Sequence, residues 1–442
     1  MSARPRVGII GGGISGLAAA HRLTRRGVPV VLLEGSDQLG GLGTFFRAGE
    51  EWIERFYHCI MPTDAHLLAV LAELGLADSV EWRKTRMGLI VDNVRYPFNT
   101  AADLLRFRPL TLPQRVRLGV VSVLLRRLGE GKDLDNIRTE EWLRGLYGDA
   151  IWERLFRGLF ASKFGPAVGD VPALYLWQRM GREKNVSVRG YPDGGYKSII
   201  EGLRASIEAG GGLVRTRAPV SSLSASPSGC RMVLPDGTAV DTDWVVSTAP
   251  LPLLRRVADA ELSTRLPTID LRYQGVVNAV FFLDRPLEGR YWSPVLDSGT
   301  EFDGVVDMSA LTGTTRHGHL VYTMRYTDRS SALFAEDERA IAERWSAQLL
   351  ALYPDLRPEI LDVRIFKAPF VEPVYPLGYA ALRPPVEIPG TRLLLATSGQ
   401  VYPNVTSWNS SVGLANEVVD GLLARPELAP RPAQLAGERG GR

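Results

Sequence analysis

The segment from Arg6 to Glu34 constrains the fold more tightly than any other part of this chain. "RVGII" is a short β-branched strand, "GGGISG" follows it, and "LAAAHRLTRRG" reads as a helix stopped by Gly27. "VPVVLLE" is a second apolar strand that ends in Glu34. Gly11, Gly13 and Gly16 stand in G-x-G-x-x-G register, and Glu34 follows Gly11 by 23 residues. Gly11 permits the tight turn, Gly13 lets the backbone approach a pyrophosphate, and Gly16 lets helix and strand pack closely. The helix N-terminus favours phosphate charge, and Glu34 can accept from a ribose hydroxyl. Strand, helix, strand and acid in this order predict a Rossmann-like βαβ unit that binds a dinucleotide.

A second glycine pair follows. In "GSDQLGGLGTFF", Gly40 and Gly41 come six and seven residues after Glu34, which lets the chain pass close to the same pyrophosphate. With the first fingerprint, this resembles the flavoprotein family that includes amine oxidases, protoporphyrinogen oxidases, carotene desaturases and UDP-galactopyranose mutase. The resemblance implies FAD rather than NAD. It assigns Gly11, Gly13, Ser15, Gly16, Glu34, Gly40, Gly41, Leu42, Gly43 and Thr44 to the cofactor loops.

The resemblance runs through most of the chain. "YPDGGYKSIIEGL" (Tyr191 to Leu203) looks like a Gly-Gly turn leading into a helix of the FAD domain. A strand through Val214 and another through Val220 follow, with Val220 beside the adenine in relatives. Pro235-Asp236-Gly237 marks a hairpin turn, and Trp244 to Thr248 reads as a buried strand. "GTRLLLATSGQVYP" resembles the last strand of the FAD domain, putting Gly399 and Gln400 near the ribityl and phosphate groups. Asn409 and Ser410 then start a helix whose N-terminus faces the flavin. The implied fold class is α/β: a Rossmann-like FAD-binding domain interleaved with an α+β substrate domain. The first would take residues 1–80, 191–270 and 388–424, and the second 81–190 and 271–387. The segment 81–190 carries helical patterns, with Thr139 placed as a helix N-cap. The segment 271–387 carries strands and one helix. The Pro- and Gly-rich tail, 425–442, is expected to be disordered.

A flavin brings its own hydride chemistry, so the candidates are residues that face the ring. His58 can donate a proton or touch substrate, or be satisfied at a domain boundary. Lys163 can hold an anionic substrate or approach the flavin, or simply end a helix. Arg325 can clamp a carboxylate or phosphate, or make a cross-strand ion pair. Tyr402 and Trp408 can wall the pocket or belong to the core. The resemblance places Asn278 where amine oxidases carry a lysine, which counts against a simple amine oxidase. "FVEPVYPLGYAALRPP" lacks the cysteine of covalent relatives, so FAD should be non-covalent.

Composition excludes other classes. Hydrophobic residues are 45% and charged residues 23%, an ordinary globular balance, and the net charge of +3 gives no general case for nucleic acid. Cys59 and Cys230 are the only cysteines, and His317 and His319 have no third ligand in sequence nearby, so no metal site is expected. No apolar run approaches a membrane span, and the start lacks a signal-peptide pattern, so a cytoplasmic location is expected. Residues 104–132 carry six Arg and one Lys against one Glu. This stretch reads either as a solvated basic helix or as peripheral contact with a membrane or a lipid-linked substrate. The functional expectation is an FAD-dependent oxidoreductase acting on a small molecule in a glycan, lipid-linked or natural-product pathway. A flavin-dependent sugar mutase and a non-catalytic FAD-binding scaffold are the alternatives.

Overall fold

The computed structural model describes residues 6–182 and 187–428. At its centre lies a five-stranded parallel sheet in the order Leu393–Leu395, Trp244–Ser247, Val7–Ile10, Val30–Leu33, Leu213–Arg215. The first four of these strands are buried on both faces and read as short continuous apolar runs, whereas the edge strand Leu213–Arg215 is partly exposed. Val7, Ile9, Leu32, Val246 and Leu394 face the helices Ile14–Arg25, Gly195–Ala209 and Trp408–Leu423. Ile10, Val31, Leu33, Val245 and Leu395 face the small antiparallel sheet of residues 222–242 and the helix Leu251–Val257.

A second sheet has seven strands, in the order Ile360–Val374, Arg272–Leu283, His319–Asp328, Gly304–Asp307, Trp292–Leu296, Gly88–Val91, Val94–Pro97. The long strand Arg272–Leu283 pairs with both of its neighbours and is almost wholly buried. Its Val277, Ala279 and Phe281 pack on Ile341, Trp345 and Leu349 of the helix Glu338–Leu352. Its opposite face, with Val276 and Val280, meets Ile53 and Phe46 of the hairpin Phe45–Glu54. The chain between residues 101 and 182 folds into helices around a separate aromatic core that includes Trp142, Tyr147, Trp152 and Phe156.

Four local expectations are corrected. The helical segment is preceded by strands, because Asp92 and Asn93, both at positive φ (51° and 63°), turn Gly88–Val91 onto Val94–Pro97. Short polar side chains tolerate that left-handed turn, which is the hairpin type that matches strand twist. Val220 lies in an irregular link between Leu213–Arg215 and Ser222–Ser226 rather than in a strand. Thr139 is the first helical residue, with Arg138 as N-cap, and the Thr139 hydroxyl donates to Val171 O at 2.8 Å. The expected disordered tail, 425–442, starts too early: Arg425 pairs with Glu387 and Leu428 is buried in the core, and residues beyond 428 lie outside the described ones.

Candidate active site

The glycine loops sit at the carboxyl edge of the parallel sheet, where such sheets hold their ligands. Gly11 adopts φ +103°, and its N–H donates to Leu33 O at 2.9 Å. A Cβ on Gly16 would lie 1.9 Å from Gly11 O, so the helix can start this close to the turn only with glycine there. A Cβ on Gly13 would meet only Gly41 Cα, at 3.9 Å. The second loop lies parallel to the first: Gly40 N–H donates to Gly12 O at 2.8 Å, and Gly40 and Gly41 both have positive φ. Two bare backbones therefore border one open place beside the first turn of the helix Ile14–Arg25. Glu34 accepts from Gly12 N at 2.6 Å and Ser36 N at 2.8 Å, which fixes its carboxylate beside that turn. The segment carrying Val220 runs alongside, with Ala218 N–H on Glu34 O at 2.8 Å and Arg217 N–H on Ser36 O at 2.7 Å. This cradle fits the pyrophosphate and ribose of a dinucleotide.

Other predicted cofactor residues meet structural partners. The Ser15 hydroxyl reaches Ser411 O at 3.5 Å and joins the first helix to the last. Leu42 turns toward the seven-stranded sheet, Gly43 makes room for the Trp408 indole, and Thr44 O accepts Arg55 N–H at 2.9 Å. Gly399 is packed under Tyr379, whose hydroxyl donates to Gly399 O at 2.9 Å. The Gln400 amide is consumed by Thr397 N (2.9 Å), Pro384 O (3.3 Å) and Pro385 O (3.0 Å). The Asn409 side-chain oxygen accepts from His66 N and Leu67 N at 2.9 and 3.1 Å, capping the helix Ala65–Glu73. Ser407 is the N-cap of the last helix, and the Ser410 hydroxyl donates to Val405 O at 2.7 Å.

Between the glycine loops and the seven-stranded sheet is a hollow that the predicted candidates only partly describe. Phe46, Arg55, Phe56, Tyr57, Tyr326 and Phe366 each keep part of their surface accessible. Yet burial holds the Tyr57 and Tyr326 phenols above their ordinary pKa, and the two phenols interact. These part-accessible, desolvated side chains make the candidate substrate pocket. Beside this cluster, buried Asn278 donates to Arg55 O at 2.7 Å. The Arg55 guanidinium lies 5.5 Å from the centre of the Phe366 ring, and its Nε is buried with no partner. Arg55 forms no ion pair among the described residues. Neither Arg55 nor Tyr57 was singled out from sequence. The available signal was an arginine and two aromatics beside His58, in "ERFYHC".

The five catalytic candidates do not form one group. His58 Nδ1–H donates to Phe56 O at 2.8 Å, and the ring packs 4.9 Å from Tyr196 and 5.7 Å from Trp408. Burial lowers its pKa to about 4, so near neutral pH it is uncharged. Trp408 is buried against Tyr196 and Gly43, an anchor for the glycine loop rather than a bare pocket wall. Lys163 reaches the pocket wall, 5.9 Å from the centre of the Tyr326 ring, but pairs with buried Glu372 at 3.1 Å. Tyr175 also donates to that carboxylate. Arg325 pairs with Asp303 at 2.5 Å. Burial lifts the Asp303 carboxyl to about 7, with Arg325 pulling it back. Tyr402 is corrected to a core residue: it is 1% exposed, lies 4.8 Å from Tyr375, and donates to Asp135. Its neighbourhood is the helical core, because the chain turns away from the sheet after Gln400. Two surface clefts, of about 540 and 480 Å³, lie along the small sheet and beside Tyr375, and include none of the glycine-loop residues. Among the described residues, no three His, Cys, Asp or Glu side chains are placed to hold a metal.

Residues 14–405 match the family described as flavin containing amine oxidoreductase. The chain belongs to that family. This flavoprotein therefore combines a Rossmann-type FAD-binding domain with an interleaved α+β substrate domain, and its cofactor is FAD. It is 25% identical over 346 residues to the flavin-dependent L-tryptophan oxidase of Lentzea aerocolonigenes, covering 68% of this chain and 69% of that one. It is 27% identical over 324 residues to the protoporphyrinogen oxidase of Bos taurus, covering 61% and 65%. The matches thus span about two thirds of the curated relatives' length. Its fold is also that of reduced UDP-galactopyranose mutase, with TM-score 0.74, 16% identity and 95% of each chain covered. No helix of the described residues is long and apolar enough to cross a membrane.

Proposed function

We propose that this flavoprotein is an oxidoreductase that removes a hydride from a C–H bond, alone or next to nitrogen or oxygen, of an acidic small molecule. The observation that carries this reading is Arg55, a half-buried cation with an unpartnered Nε, in the pocket between the glycine loops and the sheet. FAD, when bound, supplies the two-electron acceptor. Gly11, Gly13, Gly16, Gly40 and Gly41 would hold its pyrophosphate and Glu34 its ribose, with Val220 on the adenine side. Arg55 anchors the substrate's carboxylate or phosphate, because a cation without a counter-charge in a low-dielectric site favours an anion. Phe366, Tyr57 and Tyr326 confine the apolar part of the substrate and exclude water. Asn278, held on Arg55 O, offers an uncharged amide where a lysine would bring a charge. His58 stays neutral and supports the wall instead of donating protons as a cation.

The relatives' reactions and the pocket together support placing the enzyme in a biosynthetic pathway that handles glycan, lipid-linked or natural-product intermediates. FAD is held non-covalently, since Cys59 and Cys230 are the only cysteines and Cys230 lies in the small sheet. The FAD domain takes residues 1–80, 191–270 and 388–424, and the substrate domain 81–190 and 271–387. The proposed location is the cytoplasm, with residues 104–132 turned toward a membrane or a lipid-linked substrate. The test is to mix oxidised holoprotein with candidate acids without oxygen and follow the flavin band near about 450 nm. Bleaching with formation of the oxidised product is expected. Turnover only with pre-reduced protein, consuming no electrons, would decide for a mutase. Bound FAD inert to reductants and substrates alike would decide for a scaffold.

A further inference from the structure

We propose that the outward face of the helix Leu112–Gly129, with the turn at Leu105, docks flat on an anionic lipid bilayer. The inference rests on the proposed membrane-facing side of residues 104–132 and names its occupant, while the redox chemistry and the substrate do not enter it. The helix packs its inner side, with Leu118 and Leu125, into the helical core. Its outer side is apolar as well. Leu112 is 58% exposed, Val116 50%, Val120 54%, Val123 84% and Leu124 39%, and Leu105 nearby is 51% exposed. Residues 112, 116, 120 and 123 recur at helical spacing, so they form one stripe about 17 Å long. A single exposed valine needs no explanation, but a contiguous stripe does.

The charges around the stripe point to its occupant. Arg106, Arg108, Arg126 and Arg127 are exposed, and neither they nor Arg115, Arg117 and Lys132 form an ion pair among the described residues. Arg115 and Arg117 bind only backbone carbonyls, of Leu110, Leu105, Leu146 and Gly145, which leaves their charge uncompensated. On the adjacent helix, by contrast, Arg144 is shared among Glu140, Asp149 and Glu153. An apolar stripe flanked by unpaired arginines is the pattern of a helix lying in a bilayer interface, its apolar side in the acyl boundary and its cations among anionic headgroups. A water-facing helix gains nothing from the stripe, and a neutral partner surface gains nothing from the arginines.

The test is co-sedimentation of the FAD-loaded protein with phosphatidylcholine vesicles, with and without phosphatidylglycerol, at low and high salt. Binding to the anionic vesicles is expected, weakened by salt and much weaker to phosphatidylcholine alone. The triple change Val116→Glu, Val120→Glu and Val123→Glu should lower partitioning about tenfold or more. Arg126→Ala and Arg127→Ala should each lower it roughly fivefold. FAD content and near-UV dichroism report folding. If the triple variant loses FAD, the two arginine variants decide. The proposal is overturned if the wild type ignores anionic vesicles, if it binds neutral ones equally, or if the variants bind like wild type. It is also overturned if there is no vesicle binding and the valine changes instead convert a dimer to a monomer, which would make this face a contact between copies of the chain.

Discussion

The glycine cradle and the pocket below it are neighbours built in opposite ways. The cradle is backbone, and most of it comes from residues 11 to 41. Its fit depends on side chains that are missing at Gly13, Gly16 and Gly41. The pocket is made of side chains from distant parts of the chain: Arg55 and Tyr57 from one hairpin's exit, Asn278, Tyr326 and Phe366 from three strands. A backbone site tolerates almost no added atom, whereas a side-chain site can be altered without disturbing the fold. The first should fail outright when changed and the second should change only what it binds.

The largest expected effect tests the cradle. Gly16→Val places carbon against Gly11 O and should cut FAD affinity by about 100-fold or more, read as loss of co-purified flavin. A yellow Gly16→Val protein would break the comparison. In the pocket, Arg55→Met keeps the stem over Phe366 and removes the charge. It should lower kcat/KM for an acidic substrate about 100-fold, while FAD content and Tm hold. Loss of FAD instead would move Arg55 into the cofactor's site.

A smaller effect concerns the wall between the two regions. Burial depresses the His58 imidazole from 6.5 to about 4. Its neutral form therefore contributes stability above pH 6.5 that is lost as the pH falls toward 4, worth a few kcal/mol. Asp303, raised by burial to about 7, acts in reverse, losing its contribution as the pH rises through that value. Comparing urea midpoints of wild type and His58→Gln at neutral and acid pH isolates the histidine. An unchanged acid slope in the variant would show that His58 does not carry this pH dependence. The smallest effect is outside both regions. Tyr402→Phe loses the hydroxyl that donates to Asp135 and should cost about 1–3 kcal/mol of stability, leaving flavin reduction unchanged. A slower reduction half-reaction would return Tyr402 to the active site.

The same contrast explains what could be read in advance. Gly11, Gly13, Gly16, Glu34, Gly40 and Gly41 were legible because turn geometry and close approach are local demands that only certain residues meet. Lys163 was legible as a charge but not as an ion pair, and for Arg325 an ion pair was one of two readings without a named partner, because Glu372 and Asp303 are supplied from elsewhere in the chain. Gln400 follows the last parallel strand and Asn409 lies in the first turn of the last helix. Their amides are taken by a neighbouring helix start and a proline loop that no local pattern announces. Tyr402 was misplaced for the same reason. A tyrosine near a flavin motif and one in a core look alike until the surrounding chain is folded.

The sequence by itself determined the βαβ cradle, the parallel sheet and, through resemblance, FAD, because backbone conformation and apolar periodicity act over a few residues. Only the tertiary structure decided which side chains face the pocket and which charges lack partners. Those properties depend on what long-range packing brings within a few ångströms: Asn278 beside Arg55, Glu372 beside Lys163, and, among the described residues, no ion pair for the arginines of the exposed helix.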